Sequence, residues 1–356
     1  MDNEIKIVSC KTENDFKDYT DSFNNNDLPK TTELVRWFHL DNPLKENVVD
    51  FAVVDNEENG RTIAAIYAVF PVVFNIFGTI VKAVQSIDTL TDINFRGKGL
   101  FITLAKDVYL RAKAENYELV YGFPNGSSAS GFFKKLNWIK IGEVPFIIKP
   151  LRSKYFSKIV TKKWDRFLPN INLTVKYKIR LNRGYEIINI KKEHINKYDF
   201  TSVWKSYTEG KIIGIERSTD YIQWRIGQKP DENYIIDGLF FEGNLIGYII
   251  YCVKEKHNGK IGYIMEYIYK SDKEKVAKEL LKKAVNNINN TGADLVLGWC
   301  FDHAKNYKHF SKLFFFKMPT KLRPIELHFG VCSFNGNDEI YDQKNWYISY
   351  FDSDTV

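Results

Sequence analysis

Thr91-Asp92-Ile93-Asn94-Phe95-Arg96-Gly97-Lys98-Gly99-Leu100-Phe101 is the stretch on which the reading of this chain turns. Upstream of it, Val81 to Thr91 is rich in β-branched and apolar residues, as a strand requires. Downstream, Gly99 to Glu115 changes to helical spacing, with Leu100, Thr103, Leu104, Val108 and Ala112 on one face. A strand that passes through a glycine loop into a helix presents free backbone N–H groups at the positive end of the helix dipole. That arrangement receives a phosphate or pyrophosphate. The glycines permit left-handed backbone and close approach to a ligand, and Arg96 and Lys98 add positive charge. The loop is neither GxxxxGK[ST] nor GxGxxG, which excludes a Walker site and a dinucleotide fingerprint.

Working outward, Asp50 to Val54 and Ile63 to Val69 read as strands before the loop. Leu119 to Phe123 reads as a short buried strand after the helix, and Ser128 to Leu136 as a second short helix. This order predicts an α/β (α+β) fold, a mixed sheet flanked by helices. The pattern recurs. Leu119-Val120-Tyr121-Gly122-Phe123 returns as Leu295-Val296-Leu297-Gly298-Trp299, and Phe132-Phe133-Lys134-Lys135-Leu136 as His309-Phe310-Ser311-Lys312-Leu313. Matched features in the same order indicate an internal duplication. In the second copy, strand Ile261 to Tyr269 and helix Val276 to Ile288 are joined by Lys270-Ser271-Asp272-Lys273-Glu274-Lys275, which has no glycine. Without glycine the backbone cannot readily wrap a pyrophosphate, so only the first copy is expected to bind one.

At 356 residues the chain is long enough for two cores. No run of eighteen apolar residues marks a membrane span, and Met1-Asp2-Asn3-Glu4 does not open a signal peptide. Cys10, Cys252, Cys300 and Cys332 stand far apart, and the histidines form no HxxxH pattern, so no metal or disulfide framework is expected; a reducing cytoplasm fits. The net charge of +7 is uneven. Residues 149–183 carry eleven Lys or Arg and one acid, Asp165, with apolar residues from Leu151 to Trp164 at helical spacing. That segment is expected to be a basic linker helix, packed as a connector or touching a membrane surface or anionic ligand. No nucleic-acid reader motif accompanies it.

Arg96-Gly97-Lys98-Gly99 between strand and helix resembles the acyl-CoA signature Q/R-x-x-G-x-G/A of the GCN5-related N-acetyltransferases (GNAT). Asn125 beyond the next strand, followed by Phe132-Phe133-Lys134-Lys135-Leu136-Asn137-Trp138, is similar to that family's second landmark. The resemblance implies an N-terminal GNAT lobe over 1–148, the linker over 149–183, and a degenerate C-terminal lobe over 184–356 that walls the acceptor pocket. It further implies that the backbone of Arg96, Gly97, Lys98, Gly99 and Leu100 holds the CoA pyrophosphate. Thr89 and Thr91 would run beside the pantetheine arm, and Asn125 would touch the cofactor from the neighbouring strand. Two departures stand out. Phe101 replaces the second Gly/Ala, and Phe133 takes the place of a tyrosine that protonates the leaving thiolate in many relatives.

The implied activity is acetyl-CoA-dependent N-acyl transfer, made directly to the amine of a small-molecule or sugar-like acceptor, with acetyl-CoA as co-substrate. No cysteine or serine stands in a nucleophile motif. Such transfer needs a base for the acceptor ammonium. Asp88, on the strand leading to the loop, is one candidate. The aromatic, strand-like end Trp346 to Val356 offers Asp352, Asp354 and the Val356 carboxylate, because tandem-lobe relatives of the enhanced-intracellular-survival type bring a terminal carboxylate to the active site. Tyr67, Trp37 and Trp138 are read as core aromatics. Two other readings compete: an aminoacyl transferase of the peptidoglycan-bridge type, favoured by the basic stretch but opposed by the intact loop, and a non-catalytic acyl-CoA-binding protein.

Overall fold

The computed structural model describes residues 4–56, 60–155, 157, 169–230, 233–323 and 325–353. The chain divides into two units that are not consecutive in sequence. One comprises 1–143, 228–231 and 327–343, and the other 144–227, 232–326 and 344–356.

The first unit holds strands β1 Ile5–Ser9, β2 Val48–Asn56, β3 Gly60–Ile76, β4 Thr79–Thr91, β5 Tyr117–Gly122 and β6 Ile139–Glu143, with helices α1 Glu13–Asn25, α2 Thr32–His39, α3 Leu100–Ala114 and α4 Ala129–Lys135. Its remaining strand comes from late in the chain: β15 His328–Ser333 lies between β5 and β6, giving the order β1-β2-β3-β4-β5-β15-β6. β4 and β5 are parallel, whereas the pairs β1–β2, β2–β3 and β3–β4 are antiparallel. Both faces of the sheet are covered. Leu104, Ala105, Val108 and Ala112 of α3 pack on Ala65, Tyr67, Val69 and Val84. On the other face Phe16, Tyr19 and Phe23 of α1 pack on Phe51, Ile66, Ala68 and Leu90. Alternation along the strands thus buries both sets of side chains.

The second unit repeats the plan with β7 Phe146–Pro150, β8 Tyr185–Ile190, β9 Ile213–Ile215, β10 Ile235–Phe241, β11 Asn244–Lys256, β12 Gly259–Tyr269, β13 Leu295–Trp299 and β14 Phe316–Lys317. Its helices are α5 Phe200–Thr208, α6 Thr219–Ile222, α7 Glu274–Asn290 and α8 Tyr307–Lys312. The sheet order β14-β7-β13-β12-β11-β10-β8 mirrors the first, with β12 and β13 as the parallel pair. Here β7 takes the place that β15 takes in the first unit. Each sheet is therefore completed by a strand that follows the other copy in sequence. A boundary at 148 or 184 would separate β5 from the strand it pairs with.

Two sequence expectations change. Lys149, counted among the solvated basic residues, is buried in β7, where its Nζ donates to the Leu313 carbonyl at 2.8 Å. Of the helix expected over Leu151 to Trp164, described residues 153–155 and 157 are helical and 156 and 158–164 lie outside the described residues, while described residues 169–183 contain no helix. The strand-like reading of 346–353 is also corrected. This segment forms a 3₁₀ turn at Tyr350–Asp352 and touches β9 only through an isolated bridge from Ile213 to Trp346. Among the described residues, no helix is long and apolar enough to cross a membrane.

Two buried histidines tie stability to pH. Burial pushes the His39 imidazole down to about 4, against the opposing pull of Asp88, and pushes His309 down to about 4 as well. The folded value lies below the unfolded value of 6.5, so the unfolded chain takes up protons first as pH falls. The stability these groups contribute is present above about pH 6.5 and is lost towards pH 4, by up to ~3 kcal/mol each. Thermal unfolding followed across this window should show Tm falling with pH. His39→Leu should flatten part of that slope, and a wild-type Tm constant over the window would contradict the neutral burial of both rings.

Candidate functional site

The parallel pairing of β4 with β5 stops at Ser86 and Gly122, while β4 runs on to Thr91. Beyond Ser86 the strands diverge, and among the described residues the β5-facing backbone edge of 87–91 has no strand partner. A β-bulge makes this useful. Val69 pairs with Ser86 and Ala68 with Asp88, leaving Ile87 as the extra residue. The bulge places Ser86, Thr89 and Thr91 on the α3 face and Asp88 on the α1 face. Ser86, Ile87 and Thr89 face Gly122 to Asn125, Phe132 and Trp138 across a cleft of about 220 Å³.

The cleft leads towards the loop. Gly97 and Gly99 both adopt left-handed backbone, φ +81 and +74, which side chains rarely accept. Gly99 is the N-cap of α3 and supplies no side-chain cap, so the first N–H groups of the helix stay available to an anion. A second pocket of about 330 Å³ is lined by Thr91, Arg96, Gly97, Gly99 to Ile102, Ser130, Gly131 and Lys135. Lys135, which sequence reasoning gave no binding role, brings a second cation to this pocket beside Arg96. Lys98 is exposed with its ammonium over the Phe95 ring. Phe101, the departure noted in the loop, packs on Phe132 at 5.1 Å between ring centroids. A Cβ on Gly131 would come within 2.4 Å of its ring, so the large residue in the loop is matched by a glycine in α4.

Asn125 lines the cleft, and its side-chain oxygen accepts from Ser127 N and Ser128 N at 3.1 Å. It therefore shapes the turn into α4. Phe133 packs instead against β15, meeting the His328 ring and the space above Gly330; its neighbour Phe132 is the one that lines the cleft.

The proposed bases have separate surroundings. Asp88 accepts a hydrogen bond from the Tyr19 hydroxyl at 2.5 Å and pairs with the Lys30 ammonium at 3.0 Å. The His39 ring lies tilted against the same Tyr19, and among the described residues neither of its ring nitrogens has a hydrogen-bond partner. Asp352 belongs to the second unit. It is buried, caps the turn begun by Ser349, and pairs with Arg217 at 2.6 Å. Arg217 also holds Glu266 at 2.9 Å, and burial raises the carboxyl of Glu266. The Asp352 carboxylate is thus engaged as the counter-ion of an arginine sealed from water. Asp354 and Val356 lie outside the described residues.

The second unit keeps the geometry and fills the space. β12 and β13 stop pairing at Ile264 and Gly298, and Met265 is bulged, because Tyr251 pairs with Ile264 and Ile250 with Glu266. Counting from these points, Tyr267 stands where the first unit has Thr89, Tyr269 where it has Thr91, and Glu266 where it has Asp88. The Tyr267 hydroxyl shares a 2.7 Å hydrogen bond with His309 Nδ1, and Asn306 Nδ2 donates to the Tyr267 carbonyl at 3.0 Å. Both tyrosines are buried. The helix after this splay starts from Lys273 with ordinary backbone, φ −106, and carries Glu274 in its first turn. The second splay is plugged, and its helix entrance lacks a glycine and places Glu274 in the first turn.

A splayed parallel pair, a bulge at the apex and a glycine loop feeding a helix define an acyltransferase of the GNAT class. Residues 10–141 match the acetyltransferase (GNAT) domain family. The matched acetyltransferase domain lies within the first unit, and the second unit repeats its sheet order. No curated protein matches the chain. Among solved structures, N-myristoyltransferase of Saccharomyces cerevisiae with bound myristoyl-CoA is similar over 92% of this chain and 78% of its own, with 15% identity and a TM-score of 0.60. A probable N-acyltransferase from Enterococcus faecalis is similar over 92% and 72%, with 12% identity and a TM-score of 0.60. A GCN5-related N-acetyltransferase from Anabaena variabilis gives the same coverage, identity and score. These likenesses establish the shared fold.

Proposed function

We propose that this chain transfers an acetyl group from acetyl-CoA directly to the amine of a small-molecule or sugar-like acceptor, binding one acyl-CoA in the first unit. The observation that carries this reading is the open splay between β4 and β5, which runs from Ser86 and Gly122 to the left-handed loop at Gly97 and Gly99. The loop N–H groups, Arg96 and Lys135 suit a pyrophosphate, and the unpaired edge of 87–91 suits the amides of a pantetheine arm. Binding of myristoyl-CoA by the yeast N-myristoyltransferase supports an acyl-CoA as the donor. We assign the base to Asp88, which reaches the opposite face of β4, where the Lys30 ammonium occupies the place an acceptor ammonium would take. Asp352 to Val356 remain a second proposal for the base, weakened by the Arg217 pairing of Asp352.

Isothermal titration with acetyl-CoA and with myristoyl-CoA, followed by CoA-thiol release over a panel of amines, tests the reading. Acetyl-CoA should bind at one site per chain and support turnover. Asp88→Asn should keep that binding and lower kcat about 10²- to 10⁴-fold, the range for loss of a general base. No binding of either donor would overturn the reading. Binding without turnover on any amine would favour a non-catalytic acyl-CoA-binding protein.

A further inference from the structure

The apex of the splay carries a hydrogen-bonded chain with a fixed direction. Trp138 Nε1, which can only donate, reaches the Tyr109 hydroxyl at 2.9 Å. The Tyr109 and Tyr67 hydroxyls are 2.8 Å apart. Tyr67 in turn donates to Ser86 Oγ at 3.0 Å. Because Tyr67 gives its single hydroxyl proton to Ser86 Oγ, the bond between the two phenols runs from Tyr109 to Tyr67. Burial raises both phenols, so both stay protonated and keep donating. The chain ends on a serine whose own O–H proton is left to donate elsewhere. Ser86 is half-buried and lines the cleft, and Gly122 faces it so closely that a Cβ would stand 3.1 Å from the Ser86 carbonyl oxygen.

Ser86 stands at the closed end of the cleft and the anion loop at the open end. Five residues of β4 separate Ser86 from Thr91, roughly 17 Å at strand rise, comparable with an extended phosphopantetheine arm. A donor whose pyrophosphate sits at Gly97 to Leu100 therefore brings its sulfur to Ser86. This matters because Phe133, at the place of the family's tyrosine acid, packs away against Gly330 and His328 and offers no proton.

We propose that Ser86 is a catalytic residue: its hydroxyl, polarised by the Trp138–Tyr109–Tyr67 chain, donates a hydrogen bond to the sulfur that leaves as the acyl group is transferred. This rests on the acyl-CoA reading of the cleft. In the step, the acceptor nitrogen forms a bond to the acyl carbon and gives up its N–H proton to the base, assigned above to Asp88, which returns it to solvent, and the C–S bond breaks. The electron pair stays on sulfur as a thiolate held by the Ser86 O–H, and the thiolate later takes a proton from water. Ser86 keeps its own proton, and Tyr67 and Tyr109 act as positioning residues. Hydrogen bonds accepted by Ser86 Oγ make its O–H a stronger donor.

The test uses the full chain. Acetyl-CoA affinity by titration comes first, since failure of wild type to bind would remove the acyl-CoA reading itself. Given binding, Ser86→Ala should leave Kd within about twofold and lower kcat roughly 10- to 100-fold, at the lower end of what one donor to a developing anion contributes. Tyr67→Phe should lower kcat less, and the double variant should be no worse than Ser86→Ala alone, as expected for groups acting in series. A structural role would not produce the spectroscopic counterpart. In complexes with free CoA, ultraviolet absorbance of the thiolate should titrate at lower pH in wild type than in Ser86→Ala. Unchanged kcat in Ser86→Ala, additive losses in the double variant, or identical thiolate titrations would each overturn the proposal.

Discussion

Replacing Thr89 and Thr91 by tyrosine is expected to abolish acetyl-CoA binding by the first unit, weakening it at least ~100-fold (about 2.7 kcal/mol). The two threonines line the cleft and the loop pocket, on the α3 face of β4 where the pantetheine arm would lie. The second unit has already made this change. At the same distances from its bulge it carries Tyr267 and Tyr269, whose rings are buried where the corresponding cleft would open. The substitutions leave the β3–β4 ladder untouched, since only side chains on the open face grow. Tm should therefore move by no more than a few degrees. The new hydroxyl at position 89 has no histidine to receive it, because Phe132 stands where the second unit has His309, so Thr89→Leu serves as an apolar control. Titration calorimetry reads the result. Binding at wild-type strength in the Tyr variants would mean that the ligand does not run along β4, and the proposed donor site would fall.

Cutting the chain after residue 148 is expected to destroy the first unit, although every motif of the resemblance lies before the cut. β15 fills the gap between β5 and β6, pairing Gly330 to Ser333 with Gly122 to Leu119 and His328 to Val331 with Glu143 to Ile139. Leu327, Phe329 and Val331 are buried there, and Gly330 seats Phe133 and Trp138. Each large apolar side chain is worth about 1.5–3 kcal/mol when fully buried. Losing three, with the ladder and the cover over Trp138, rivals the ~5–15 kcal/mol that holds a domain folded. The fragment 1–148 should show no cooperative thermal transition by circular dichroism. Fusing residues 325–345 to it through a flexible linker should restore one. A cooperative melt of the bare fragment near the full-length Tm would show that β15 is dispensable.

Both predictions bear on what could be read from the chain alone. The strand, loop and helix around Gly97 and Gly99 were legible because their signals are local: β-branched residues, left-handed glycines and a 3.6-residue apolar period. The predicted helix from Gly99 to Glu115 differs from the observed Leu100–Ala114 by one residue at each end. The same locality exposed the second copy and its glycine-free turn. Lys135 and Ser86 were passed over for a different reason. A lysine in α4 and a serine in a strand carry no pattern of their own, and each gains meaning from what stands opposite. The tyrosine pair Tyr67 and Tyr109 is likewise unreadable as a chain of hydroxyls until α3 is laid on the sheet. The aromatic C-terminal stretch was misread as a strand because its apolar content reports burial, and burial is equally served by 3₁₀ turns around Arg217 and Glu266.

The sequence by itself thus determined the fold class, the duplication, and which copy keeps a glycine loop at its helix start, since all three depend on residues close together along the backbone. Only the tertiary structure decided how each sheet is completed. A strand pairs with whichever edge it reaches, and nothing in His328 to Ser333 or Phe146 to Pro150 names that edge. It also decided that the bulge at Ile87 divides Ser86, Thr89 and Thr91 from Asp88, placing the first three beside the cleft and the acid on the far face. One extra residue in one strand reverses the facing of every residue after it, and that residue becomes visible only against the register of β3.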